Sequence, residues 1–244
     1  SSPLITDAGD YIFRNVASDL YEATLMADAV VNDFKKERIA IVYINNDYGQ
    51  GVFNKFSEGL KHNGLELVAS EAYDEGTTDF RTIIIKLKEQ NPDAIYIAGY
   101  KEIAYLIKQL KEQRLNPLLL TTAIFEDPEI IRIVGNSAEG IIFTTFFLDE
   151  DSKEERTRAF FKNYENKFNV KPDGYAATSY DAVYLIAEAI KNNGNTSESI
   201  KKGLYEIKEF PGLLGIFSID VNGDVVLPIR MKTMQKGDLV NLNK

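Results

Sequence analysis

Between Glu37 and Thr145 short runs of nearly continuous apolar, β-branched residues alternate with amphipathic stretches, and this rhythm restricts the possible folds more than any other feature of the chain. RIAIVYI (38–44), LELVAS (65–70), DAIYIAG (93–99), PLLLTT (117–122) and GIIFTTF (140–146) read as strands. Between the first four lie QGVFNKFSEGLKH (50–62), DFRTIIIKLKEQ (79–90) and EIAYLIKQLKEQR (102–114), which place apolar residues at three- and four-residue spacing. Strands without polar alternation are those buried on both faces, and strands alternating with helices imply a parallel, doubly wound sheet. The punctuation agrees: Thr78 or Asp79 caps the helix at 79–90, Asn91-Pro92 ends it, and His62-Asn63-Gly64 closes the preceding helix with a glycine suited to left-handed backbone.

After Phe147 the rhythm changes. Residues 152–168, 175–192 and 197–208 read as three helices with short polar connections, followed by strands at 213–219 and 225–234. Asp220-Val221-Asn222-Gly223-Asp224 lies between those strands, and Asn-Gly between apolar runs predicts a hairpin. The three helices carry apolar faces, including Phe160, Phe161, Tyr164 and Phe168 in one and Tyr184, Leu185, Ala187 and Ile190 in another. No parallel strands follow for them to pack on, so strands of a second lobe are expected upstream of Ser1. No Pro/Gly/Ser-rich linker occurs, so two lobes would be joined by strands that cross between them.

The chemistry-bearing residues mostly exclude functions. The 28 Lys and Arg are scattered among 37 Asp and Glu for a net charge of −9, which opposes binding to a phosphate backbone, so no nucleic-acid partner is expected. Cysteine is absent, which removes disulfides, thiol chemistry and thiolate metal sites. His62, the only histidine, falls at a helix end where a cation suits the dipole. The paired carboxylates Glu126 with Glu129, Asp149 to Asp151 and Glu154 with Glu155 lie among lysines and read as solvated faces. Asp220 opens like a calcium loop but lacks the later ligands, and no glycine-rich phosphate cradle follows any strand. Asn195-Thr196-Ser197 matches a glycosylation sequon and reads better as a helix N-cap. No catalytic residue, metal or cofactor is therefore expected, and a flavodoxin-like enzyme is disfavoured for want of a nucleophile–base pair. No apolar run is long enough to span a bilayer, so this chain is not expected to insert into a membrane.

What remains are aromatic and hydroxyl residues at the carboxyl ends of strands, where open α/β sheets bind ligands. Asn45-Asn46-Asp47-Tyr48-Gly49, Gly99-Tyr100 and Thr121-Thr122-Ala123 each follow a strand, and the three strand ends should share one rim. Tyrosine in such a loop can also simply cover the sheet.

In order and spacing, GDYIFRNVASD (9–19), RIAIVYINNDYGQGVFNKFSEGLK (38–61), GTTDFRTIIIKLKEQNPDAIYIAGY (76–100), GNSAEGIIFTT (135–145), KPDGYAATSYDAVYLIAEAI (171–190) and GLLGIFSIDVNGDVV (212–226) resemble the periplasmic branched-chain amino-acid-binding family, the solute-capture subunits of ABC importers. The resemblance implies a periplasmic-binding-protein-like α/β fold: two doubly wound lobes joined by three crossings, with lobe 1 lacking its N-terminal strands. Residues 1–15 plus 146–228 would form the partial lobe 1, and 16–145 plus 229–244 lobe 2. It further implies hinge closure around a small ligand, a location in the periplasm or on the extracellular face of the cytoplasmic membrane, and a membrane permease as partner. By matching position, Ser1 and Ser2 would hold a ligand carboxylate, Tyr48 and Tyr100 would cover the ligand, and Thr122 and Ala123 would line the rim. Amino-acid binders of the family carry an acid where Ala123 stands, so a counter-charge for a ligand ammonium would have to come from Glu126, from Asp127 or from a residue of the lobe 1 segment expected upstream of Ser1. The alternative function is an extracellular ligand-sensing domain of a signalling receptor, which similar lobes also serve.

Overall fold

The structure is a computed structural model that describes residues 5–242. In chain order the helices are α1 (Asp19–Asn32), α2 (Asp47–His62), α3 (Arg81–Gln90), α4 (Ile103–Glu112), α5 (Pro128–Val134), α6 (Glu155–Phe168), α7 (Gly174–Asn193) and α8 (Ser197–Glu206). The strands are β1 (Ile39–Ile44), β2 (Ala69–Tyr73), β3 (Ala94–Ala98), β4 (Leu118–Thr121), β5 (Ile142–Phe146), β6 (Phe210–Gly212), β7 (Gly215–Phe217), β8 (Ile229–Gln235) and β9 (Asp238–Asn241). Contacts divide the described chain into two units, 5–18 with 146–229 and 19–145 with 230–242. They are called here the small unit and the sheet unit.

In the sheet unit seven strands run in the order β2-β1-β3-β4-β5-β8-β9. β2, β1, β3, β4 and β5 are parallel, as their unalternating apolar sequences predict, and β9 returns antiparallel to β8. Two cores form. On one face Val42, Ile95, Ile97 and Phe143 pack against Ile84, Leu87, Ile107, Leu110 and Phe125. On the other, Ile39, Ile41, Tyr96 and Leu120 pack against Met26 and Val30 of α1 and Val52, Phe56 and Leu60 of α2. The helices sit there because their three- and four-residue apolar spacing yields one continuous stripe each.

Three details differ from the sequence expectation. The second strand is Ala69–Tyr73, four residues later than LELVAS suggests. It is the edge of the sheet and alternates half-buried with exposed residues up to the buried Tyr73, so it lacks the continuous apolar signature, while Leu65 and Leu67 pack on the core from a loop. The hairpin in the later region is β6 with β7, turning at Leu213-Leu214, not at Asn222-Gly223. The Asp220 to Asp224 segment is a tight turn in which the Asp220 carboxylate accepts the Asn222 and Asp224 amides at 2.8 and 2.9 Å, flanked by a single bridge between Ile219 and Val225. The last long strand begins only at Ile229, after Pro228, and is followed by β9 through a Lys236-Gly237 turn with φ of 54° and 87° at the two positions.

The small unit contains α6, α7, α8 and the two-stranded β6-β7 sheet. Buried Leu185, Leu204, Phe210, Leu214 and Phe217 supply its apolar contacts, and polar contacts link its elements. Arg156 of α6 donates to Asp181 of α7 at 2.6 Å, and the same carboxylate accepts the Leu213 amide at 2.7 Å. The guanidinium lies 4.8 Å from the Tyr184 ring centre and 5.2 Å from that of Phe210, a cation over aromatic faces. Burial pushes the Asp181 carboxyl above its ordinary range, and the Leu213 amide and Arg156 pull it back. Arg14 likewise pairs with Asp224 at 2.9 Å.

Candidate functional site

The parallel arrangement puts the carboxyl ends of β1, β3 and β4 side by side, because Tyr43 pairs with Ala98 and Ile97 with Thr121. The residues that follow these strands therefore share one edge of the sheet unit.

Asn46 caps α2 by accepting the Gly49 amide at 3.0 Å, which fixes the first helical turn and presents Tyr48. Tyr100 follows Gly99 in the turn before α4 and is 40% exposed. The two rings stack with centres 5.4 Å apart and planes 14° from parallel. Offset stacking at that distance is favourable, and Tyr48 also packs on the apolar cores of the sheet.

Beneath Tyr100 lies Tyr73, the last residue of β2 and only 4% exposed. A Cβ on Gly99 would fall 1.6 Å from the Tyr73 hydroxyl, so only glycine lets the phenol occupy this place. Burial raises the Tyr73 pKa far above its ordinary 10.0, the negative charge of Glu102 adds to the shift, and a backbone contact with Tyr100 opposes it. Glu102 accepts the Gly76 amide at 2.9 Å and so ties the loop after β2 to the start of α4.

Thr122 and Ala123 follow β4 and are 5% and 4% exposed. Ala123 opens a short 3-10 turn, Ala123–Glu126. Neither acid expected as a substitute counter-charge is idle. Glu126 accepts from Lys232 at 2.7 Å and from the Thr145 hydroxyl at 2.8 Å. Asp127 caps α5 by accepting the Glu129 amide at 2.8 Å, and lies 3.9 Å from Lys101. Lys101 itself bonds to Glu129, which raises its pKa.

The structure thus brings Tyr48 and Tyr100 into contact and sets Thr122 and Ala123 on a neighbouring strand end. Ser1 and Ser2 lie outside the described residues. Sequence reasoning missed Tyr73, whose role depends on the edge strand it misplaced. It also missed Glu22, a carboxylate 3% exposed that accepts from Thr144 at 2.6 Å. Among the described residues no group of three or more His, Cys, Asp or Glu is placed to hold a metal ion, and no helix is long and apolar enough to cross a membrane. An open hollow lined by Arg156, Tyr184, Phe210 and Pro211 lies on the small unit.

A family model described as Periplasmic binding protein matches residues 5–238. The chain is 28% identical over 232 residues to Leu/Ile/Val-binding protein homolog 1 of Brucella abortus (strain 2308), covering 93% of this chain and 62% of that protein. It therefore spans about 62% of the length of this curated relative. Among solved structures, the leucine-binding protein LivK of Thermotoga maritima MSB8 aligns with a TM-score of 0.91 at 26% identity, covering 100% of this chain and 70% of that one. The branched-chain amino acid transporter substrate-binding protein LivJ of Streptococcus pneumoniae str. Canada MDR_19A, solved with isoleucine, aligns with a TM-score of 0.86 at 28% identity, covering 96% and 67%.

Proposed function

The chain belongs to the periplasmic binding protein family, and from that premise we propose that it captures a small carboxylate-bearing solute, an amino acid or related organic acid, without altering it chemically. The solute is handed to the membrane permease of an ABC importer, in the periplasm or at the extracellular face of the cytoplasmic membrane. The observation that carries this reading is the Tyr48–Tyr100 stack at the carboxyl ends of adjacent parallel strands. It is an aromatic pair, Tyr48 half-buried and Tyr100 exposed, where open α/β sheets take ligands. The relatives' names, which refer to leucine, isoleucine or valine, support the solute class.

Within that class the rim favours an acid without an α-ammonium group. A buried ammonium needs an acceptor, and leaving it unpaired costs several kcal/mol, enough to remove most of a micromolar affinity. Ala123 offers a methyl group, Glu126 is held by Lys232 and Thr145, and Asp127 is held as a helix cap.

Calorimetry against leucine, isoleucine, valine and their oxo acids tests both levels. Submicromolar binding of an oxo acid and weak binding of the amino acids is the expected pattern, and submicromolar binding of any of the three amino acids rejects the finer reading. Tyr48→Ala and Tyr100→Ala should each weaken binding by about 1 to 3 kcal/mol, roughly fivefold to more than a hundredfold. If both variants bind as tightly as the parent, the rim is not the site.

A further inference from the structure

Three stretches of chain pass between the two units: after Ser18, after Thr145 and after Ile229. Just inside the sheet unit each meets a carboxylate contact. Thr144 and Thr145 are consecutive on β5, so their side chains leave opposite faces of the sheet. Thr144 donates at 2.6 Å to Glu22, which lies in the first turn of α1, four residues into the sheet unit. Thr145 donates at 2.8 Å to Glu126, and Lys232 of β8, three residues into the sheet unit on the last passage, donates to the other oxygen of the same carboxylate at 2.7 Å. Thr144 and Thr145 are fully buried or nearly so, at 0% and 1% exposed, and Glu22 at 3%. Charge-assisted hydrogen bonds in such surroundings are strong because water competes poorly for either partner, whereas the Lys232 and Glu126 side chains are 26% and 22% exposed and their pair is weaker for it.

We propose that Glu22 and Glu126 are paired latches that fasten the three passing segments into one block at the margin of the sheet unit, and that Glu126 is also a positioning residue for the solute rim. The geometry joins α1 to β5 through Glu22, and β5 to β8 through Glu126. Every passage is thus tied to a neighbour on one face of the sheet or the other. Glu126 ends the 3-10 turn that begins at Ala123, so the same carboxylate sets the place of Thr122 and Ala123 relative to β5 and β8. This second part rests on the reading of the rim as the solute site. The first part does not.

Hydrogen exchange read by mass spectrometry on the full protein separates the two. Glu126→Ala should speed exchange about tenfold or more, as the loss of hydrogen bonds to a charged group implies, in three separate stretches, 122–127, 142–146 and 229–235. β1 and β3 should be unchanged, and Glu126→Gln, which keeps an acceptor for Thr145, should fall between parent and Ala. Glu22→Ala should speed 19–24 and 142–146 but leave 229–235 alone. Acceleration confined to 122–127 in the first variant, or spread through β1 and β3, overturns the latch. Titration with leucine and with its oxo acid supplies the other arm, with Glu126→Ala expected to weaken binding at least fivefold and Glu126→Gln to recover part of the loss. If the parent binds neither probe, the solute reading and the positioning role fall together while exchange still decides the latches. If the parent binds and Glu126→Ala binds equally well, the positioning role alone is overturned.

Discussion

The two units use the same kind of amphipathic helix and stabilise it differently. In the sheet unit α2 buries Val52, Phe56 and Leu60, and α4 buries Ile103, Leu106, Ile107 and Leu110, each against strands of the seven-stranded sheet. Every one of the largest fully buried side chains, from Met26 to Phe143, belongs to this unit. In the small unit α7 buries Ala177, Leu185 and Ala189 but exposes Val183 at 66% and Tyr184 and Ile186 at 47% and 46%. Its elements are gathered by buried residues such as Leu204, Phe210, Leu214 and Phe217 together with the Arg156–Asp181–Leu213 knot and its aromatic faces. An amphipathic pattern shows that a helix has an apolar face. What covers that face depends on whether a sheet lies within reach.

The comparison can be broken most sharply in the core. Phe56→Ala should destabilise the sheet unit by about 3 to 5 kcal/mol through lost transfer energy and a residual cavity, measured by denaturant unfolding. A loss near zero would mean that this unit does not depend on apolar burial. Asp181→Ala should destabilise the small unit by about 2 kcal/mol, since it leaves the buried Leu213 amide without its acceptor and takes from Arg156 its carboxylate, leaving it the Pro211 carbonyl. The unfolding of the sheet unit should be little changed, and a loss felt equally in both units would erase the contrast.

The alkaline limb offers a smaller test. The Tyr73 phenol has a folded pKa above its unfolded value of 10.0, so the stability it contributes is fully present below that pH and is lost as pH rises through and beyond it. Tyr73→Phe should therefore hold its stability further into alkali than the parent, and coincident alkaline curves would show that the phenol is not sealed. Least affected should be the exposed face. Val183→Ser and Ile186→Ser should change stability by less than about 0.5 kcal/mol. Both should reduce the binding of a dye that reports apolar surface, and a parent that binds no such dye would show this face to be covered.

How much was legible in the sequence follows the same division. β1, β3, β4 and β5 could be read because strands buried on both faces leave uninterrupted apolar runs, and the helices between them because one face of each meets that sheet. β2 was misplaced because an edge strand carries Ser70 and Glu71 where a central strand would carry valine. Asn222-Gly223 drew the hairpin away from Leu213-Leu214, since turn chemistry is a local signal and pairing depends on partners elsewhere. The rim was legible as three strand ends. That Tyr48 and Tyr100 stack was not, because it follows from β1 and β3 being neighbours, which nothing local specifies. Glu22 was passed over, and Glu126 was read only as a solvated acid or a substitute counter-charge, because their partners on β5 lie 122 and 19 residues away in sequence.

The Tyr73 phenol under Gly99 constrains the order in which this site can evolve. With a methyl group at 99 only 1.6 Å from that oxygen, a side chain there is excluded for as long as tyrosine stands at 73. A lineage that gains a residue at 99 must first have shortened 73, and one that restores tyrosine at 73 must first have returned 99 to glycine. The two positions should therefore vary together among homologues, although 26 residues separate them, and the Tyr73-with-alanine-99 combination should be missing from the record of tolerated sequences.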